Sequence, residues 1–251
     1  MVVLVHGLGE HSGRYRHVAA SLTGAGLAVY ALDHRGHGRS DGPRALIDRA
    51  ARAIADIDAL ARIAREAHPS PPLLVLGHSM GGLLALGFAH AHSASASGMI
   101  LTGPLAAAPR VPPGARIAGR VLSALAPTAP LLAPIDPRLV SRDPQVVEDY
   151  RRDPLVHHGR LPARTAAELA GMLERVPELA AGISLPTLIA YGTEDRLCPP
   201  SGSEMLARRL AGADVTLRAY DGLFHEVLNE PERDRVIADI LDWIAARLPG
   251  P

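Results

Sequence analysis

Six short apolar runs, each stopped by a glycine or a polar turn, constrain this chain more than any other feature. They cover residues 1–5, 27–32, 73–76, 99–101, 187–191 and 215–220. Runs this short and continuously apolar match strands buried on both faces. Most of the intervals have helical period. In residues 48–67, Ile54, Ile57, Leu60, Ala61 and Ala64 fall on one face, and Asp58 can meet Arg62 one turn later. A last helix is expected to open near Asn229, with Pro231 in its first turn. Its buried side would carry Ile237, Ile240, Leu241, Ile244 and Leu248. Strands alternating with helices predict an α/β fold, a mostly parallel sheet covered on both faces.

One region breaks this rhythm. Nine of the 22 prolines fall between Pro104 and Pro144, where no strand pattern is found. Helical patterns return over residues 114–125, 144–151 and 163–181. The expected organisation is a core in two pieces, 1–104 and 184–251, with a helical cap inserted over 105–183. An enlarged crossover with no gating role is the alternative. The histidine- and serine-rich residues 90–97 read as a helix end running into a loop.

The charge balance narrows the chemistry. There are 26 basic and 26 acidic side chains, a formal charge of zero, and every basic one is arginine. Without lysine there is no Schiff base, Ser-Lys dyad or phosphate-loop lysine, and histidine is left as the proton carrier near neutrality. Zero net charge argues against a nucleic-acid partner. The single cysteine, Cys198, leaves no internal disulfide framework or multi-cysteine zinc site. No apolar run approaches the roughly 18–20 residues of a membrane span, and the first residues lack a signal-peptide pattern. A soluble cytoplasmic enzyme is expected.

Gly77-His78-Ser79-Met80-Gly81 matches G-x-S-x-G between an apolar strand and an apolar helical run, the context of a nucleophile elbow. The glycines let the backbone turn tightly, which projects the Ser79 hydroxyl beyond the strand end. An alcohol needs a base and an orienting acid. In this architecture they follow in the order acid then histidine, each after a strand. Asp195 and His225 occupy those places, and Glu194 and Asp221 rank below Asp195 as rival acids. A tetrahedral intermediate needs two N–H donors; Met80 supplies one, and Leu8, in His6-Gly7-Leu8-Gly9, is the choice for the other. His6 reads as a structural histidine of that loop.

These residues resemble the α/β-hydrolases and, within them, the monoacylglycerol lipases. The likeness rests on His6-Gly7-Leu8-Gly9-Glu10-His11-Ser12-Gly13-Arg14-Tyr15, Asp33-His34-Arg35-Gly36-His37-Gly38-Arg39-Ser40 and Gly77-His78-Ser79-Met80-Gly81-Gly82. It continues through Tyr150-Arg151-Arg152-Asp153-Pro154-Leu155, Gly192-Thr193-Glu194-Asp195-Arg196-Leu197 and Tyr220-Asp221-Gly222-Leu223-Phe224-His225-Glu226. It spans nearly the whole chain and is strongest toward bacterial members. The motifs also shade into lysophospholipases and serine aminopeptidase-like hydrolases.

The resemblance implies a Ser79, Asp195, His225 triad, Leu8 and Met80 as oxyanion donors, and a cap holding an acyl tunnel. It implies a monoacylglycerol or related acyl ester as substrate, no cofactor, and a cap that contacts lipid transiently at a peripheral membrane surface. Glu10, Arg14 and Tyr150 match positions around the glycerol headgroup; for Glu10 and Arg14 an ion pair bracing the loop is the equal alternative. Other esters or lysophospholipids are the alternative substrates, and a non-catalytic ligand-binding relative is the alternative of a different class. Family members usually carry two strands before the one that opens here. Either the start lies upstream or the sheet lacks its outer hairpin, which would expose a strand edge.

Three histidine pairs, His34 with His37, His90 with His92 and His157 with His158, lack a convincing set of further ligands. His225-Glu226 is not part of H-E-x-x-H, so no metal is expected. Gly36-His37-Gly38 is not a dinucleotide fingerprint, and its turn reads as scaffold. Cys198 reads as a small packed side chain, the alternative being a thiol open to reagents that enter the substrate tunnel.

Overall fold

The computed structural model describes residues 1–107, 112–210 and 212–247. Leu248, assigned above to the last helix, lies outside the described residues. The strands, in chain order, are β1 (Val2–Val5), β2 (Val29–Ala31), β3 (Leu74–His78), β4 (Gly98–Thr102), β5 (Pro130–Leu132), β6 (Leu161–Pro162), β7 (Thr187–Gly192) and β8 (Val215–Tyr220). The helices are α1 (Arg16–Gly24), α2 (Ala50–Ala67), α3 (Met80–Ala91), α4 (Pro113–Leu125), α5 (Pro144–Arg152), α6 (Ala163–Ala181), α7 (Pro200–Arg209) and α8 (Arg233–Arg247).

The six apolar runs form one parallel sheet in the order β2-β1-β3-β4-β7-β8. Successive side chains point to opposite faces, and both faces are dry. Val3, Val5, Val75, Met99, Leu101 and Ile189 pack with α2, α3, α6 and α7 through residues such as Ile57, Phe88, Val176 and Leu206. Val2, Leu4, Leu74, Leu76, Ile100 and Leu188 pack on the other face with Val18 and Leu22 of α1 and Val236, Ile240 and Ile244 of α8. Each such side chain, fully buried, stabilises the fold by about 1.5–3 kcal/mol.

The structure departs from the sequence reading in three places. The β2 strand is three residues long, because Leu27 N–H is spent on Leu22 O at the end of α1. The final helix starts at Arg233, four residues after Asn229. Asn229 and Glu230 are engaged elsewhere: Asn229 O accepts from Ser141 Oγ (3.0 Å), and the Glu230 carboxylate accepts from Phe224 N–H (2.9 Å) and Arg142 (2.9 Å). The segment between β4 and β7 holds a small antiparallel pair, β5 in the proline-rich region with β6 beyond it, where no strand was expected. At three and two residues, with proline in each, neither could show an alternating pattern.

The segment between β4 and β7 is fastened to the core by side chains of α6. Thr165 Oγ1 donates to Ala45 O (2.7 Å) and accepts from Ile47 N–H (2.9 Å). Ala45 holds a positive φ of 56°, which L residues adopt only under constraint. Glu168 Oε2 accepts from Ala50 N–H (3.0 Å), the first amide of α2, whose own N-cap residue Arg49 offers no side-chain cap.

Candidate active site

Parallel strands bring the loops that follow them to one edge of the sheet. The loops after β1, β3, β7 and β8 carry Leu8 and Glu10, Ser79, Asp195 and His225 respectively. Ser79 sits between β3 and α3 at φ 53°, ψ −119°, a strained conformation for a residue with a side chain. The neighbouring backbone enforces it. A Cβ at Gly81 would lie 2.1 Å from Val5 O, and one at Gly77 would lie 2.5 Å from Gly81 O. Only glycine lets the start of α3 approach β1 and the end of β3 so closely. Ser79 N–H donates to Thr102 O (3.0 Å), and Ser79 O accepts from Leu105 N–H (3.0 Å), which ties the turn to β4 and the loop beyond it.

Asp195 and His225 meet directly. His225 Nδ1 donates to Asp195 Oδ2 at 2.7 Å, and Asp195 Oδ1 accepts from the amides of Leu197 (2.9 Å) and Cys198 (2.8 Å). This bond fixes the tautomer and leaves Nε2 as an acceptor. Burial opposes a charge on His225, but the Asp195 carboxylate outweighs it and holds the imidazole above its ordinary pKa. The rival acids point elsewhere: Asp221 Oδ1 accepts from Thr193 Oγ1 (3.3 Å), and Glu194 lies 4.0 Å from Arg196.

Ser79 and His225 line one cavity of about 570 Å³, together with Leu8, Met80, Glu10 and Tyr150. Among the described residues the Ser79 hydroxyl has one neighbour within hydrogen-bonding reach, Cys198 Sγ at 3.8 Å. Burial, more than the nearby Asp195 charge, raises the thiol far above its ordinary pKa, so Cys198 stays protonated. Met80 is the first residue of α3 and has no intrahelical acceptor for its N–H. Among the described residues, the Leu8 and Met80 amides donate to no other group.

Glu10, Arg14 and Tyr150 are gathered at one end of the cavity. Glu10 Oε1 accepts from Gly7 N–H (2.6 Å) and Tyr15 OH (2.6 Å), and Oε2 accepts from Arg14 Nη1 (2.7 Å). The bracing ion pair is therefore present, while Glu10 also faces the cavity. Arg14 sits behind it, with Cζ 4.7 Å from the centre of the Tyr150 ring. Asp143 caps α5 through Gln145 N–H (2.8 Å) and Pro144 opens it, which aims Tyr150 inward two turns later.

Sequence reasoning missed Glu226. It grips Arg14 with both oxygens, Oε1 to Nη1 at 2.5 Å and Oε2 to Nη2 at 2.7 Å, and Oε2 also accepts from Asn229 Nδ2 (2.9 Å). Its place beside His225 was the sole available sign. His78 was passed over as well. Its Nδ1 lies 3.1 Å from Thr102 Oγ1 and its ring 4.7 Å from that of His225. Burial first, then His225, lower its pKa to about 4, so it is neutral at pH 7.

His6 has a scaffold arrangement: Nδ1 donates to Gly7 O (2.7 Å) and Nε2 accepts from His34 N–H (3.0 Å). Burial, then His37, push it down to about 3. Among the described residues, no group of three or more His, Cys, Asp or Glu side chains is arranged to hold a metal ion.

The chain matches a family model described as serine aminopeptidase, S33, over residues 1–232. It is 45% identical over 249 residues to a monoacylglycerol lipase of Mycolicibacterium smegmatis, covering 99% of this chain and 89% of that relative. It is 33% identical to the human monoglyceride lipase, over 98% of this chain and 82% of the human one. The solved structure of Paleococcus ferrophilus monoacylglycerol lipase superposes with a TM-score of 0.89 at 34% identity, covering 98% of this chain and 94% of that one.

Proposed function

The chain belongs to the monoacylglycerol lipase family of the α/β-hydrolases, and from that premise we propose that it hydrolyses monoacylglycerols through an acyl-Ser79 intermediate. The carrying observation is a mostly apolar cavity that joins Ser79 and His225 to two unspent amides and to the polar cluster of Glu10 and Tyr150. A long acyl chain suits the first part, and a glycerol headgroup suits the last.

In this mechanism the Ser79 hydroxyl turns from Cys198 toward His225 Nε2, a contact that tightens when substrate is bound. His225 takes the proton as Oγ attacks the ester carbon, and Asp195 stabilises the imidazolium that forms. The Leu8 and Met80 amides hold the oxyanion. Collapse breaks the bond to glycerol, whose oxygen takes the proton from His225. Water, deprotonated by His225, then attacks the acyl carbon, and fatty acid leaves with Ser79 restored.

Residues 105–183 act here as a cap between core pieces 1–104 and 184–251. In support, Leu131, Leu132 and Leu173 of that segment line the same cavity as Ser79. Its helix α4 exposes Ile117, Val121 and Leu125 at four-residue spacing, with Leu125 81% accessible. Such a stripe suits transient seating on a lipid surface. No helix among the described residues is long and apolar enough to cross a membrane.

The test is a panel of 1- and 2-monoacylglycerols, a diacylglycerol, lysophosphatidylcholine and a peptide amide, compared by kcat/KM. Preference for a monoacylglycerol is the expected result. Preference for any other member would overturn the substrate reading.

A further inference from the structure

Arginine is the usual receptor for a phosphate, because its planar fork offers paired donors. Among the described residues, Arg14 is the cation bonded to the polar end of the cavity, and both of its terminal nitrogens are turned inward. Nη1 serves both Glu10 and Glu226, Nη2 serves Glu226, and the Tyr150 ring covers its face. Two carboxylates around one guanidinium leave this buried group with a net charge of −1. Both carboxylates line the cavity, whereas Arg14 does not. His78 is neutral beside them, and Asp195 adds a further negative charge behind His225. The arginines that do line the cavity, Arg116 and Arg120, belong to α4 and are paired with Glu174 of α6.

We propose that Glu226 is a specificity-determining residue, which makes the headgroup end acidic and thereby selects uncharged acylglycerols over phosphate-bearing ones. The proposal rests on the ester-hydrolase reading above. Among the described residues, Glu10 Oε2 and Glu226 Oε1 each accept one bond, from Arg14. A carboxylate oxygen has two acceptor sites, so each can accept a hydrogen bond from a glycerol hydroxyl. A phosphate dianion brings acceptors and charge instead of donors. It would face two carboxylates that cannot bond to it, and because both residues are buried, solvent screens the repulsion only weakly.

The experiment measures kcat/KM for 1-octanoylglycerol and 1-octanoylglycerol 3-phosphate, with p-nitrophenyl octanoate as an ester lacking the headgroup. Wild type is expected to favour the uncharged acylglycerol by about a hundredfold or more. Glu226→Gln should reduce that preference at least about tenfold, chiefly through a lower KM for the phosphate. Equal rates on the two acylglycerols by wild type would overturn the proposal whether or not the variant folds. So would an unchanged ratio in a Glu226→Gln protein that still cleaves the nitrophenyl ester. If wild type cleaves the nitrophenyl ester but neither acylglycerol, the substrate reading itself fails. Equal turnover of both acylglycerols leaves that reading standing and removes the charge selection alone.

Discussion

The two ends of the cavity are built by different means. At the sheet end, close backbone packing and buried charged groups fix each reacting group. Gly81 touches Val5 O, Asp195 is held by two amides and His225, and Arg14 joins the loop after β1 to the loop after β8 through Glu10 and Glu226. At the α4 end, the wall is apolar and its ion pairs are exposed. Arg120 is 64% accessible where it meets Glu174, and Ile117, Val121 and Leu125 face outward. The first arrangement suits pre-organised electrostatics, which must not relax as charge develops. The second suits a surface that meets lipids of varied length. Catalytic rate is therefore assigned to the sheet end, and interfacial access to the other.

Substitutions can break this division, beginning with the largest effect. Asp195→Asn keeps the shape but loses the tautomer and the charge that supports imidazolium, so kcat should fall on the order of ten-thousandfold. A chromogenic ester assay checks it, and a loss below about tenfold would remove Asp195 from the mechanism. Gly81→Ala places a methyl against Val5 O, where backbone on both sides has to move. A loss of about 3 kcal/mol or more is expected in denaturant unfolding, and wild-type stability would refute the close approach.

The pH profile sharpens the same contrast. In the proposed mechanism His225 must be neutral to accept the Ser79 proton, and Asp195 raises its pKa. Activity should accordingly rise through an acid limb lying above the ordinary histidine value. In Asp195→Asn the limb should move to lower pH, since burial remains and the carboxylate is gone. An upward or absent shift in kcat/KM profiles would contradict the assignment.

Smaller effects belong to the segment between β4 and β7. Thr165→Val strips one oxygen from both Ala45 O and Ile47 N–H, with an expected cost of about 1–3 kcal/mol by chemical denaturation. Val121→Glu should leave hydrolysis of a water-soluble ester within about twofold of wild type while lowering sedimentation with phospholipid vesicles. Equal vesicle binding by the two proteins would remove the lipid-seating role of α4.

What was legible in the sequence divides along the same line. Residues forced by backbone geometry or by strand order announce themselves: the two glycines around Ser79, the acid after β7 and the histidine after β8. The parallel sheet was legible because strands buried on both faces leave unbroken apolar runs. Glu226 was not, because its meaning comes from Arg14, 212 positions away, and no local pattern marks that bond. Asn229 and Pro231 misled for a related reason. That pair matched a helix start, but the loop around Ser141 and Arg142 engages Asn229 O and the Glu230 carboxylate, and the helix begins only at Arg233. The β5 and β6 pair was hidden by its shortness and prolines.

The central claim is that Ser79 carries the acyl group. Its most direct test is mapping of a fluorophosphonate adduct by peptide mass spectrometry, alongside monoacylglycerol turnover. The predicted result is one adduct, on Ser79, forming in step with loss of activity, and neither labelling nor turnover in a folded Ser79→Ala protein. Turnover retained by Ser79→Ala, or an inactivating adduct on another residue, would contradict the account.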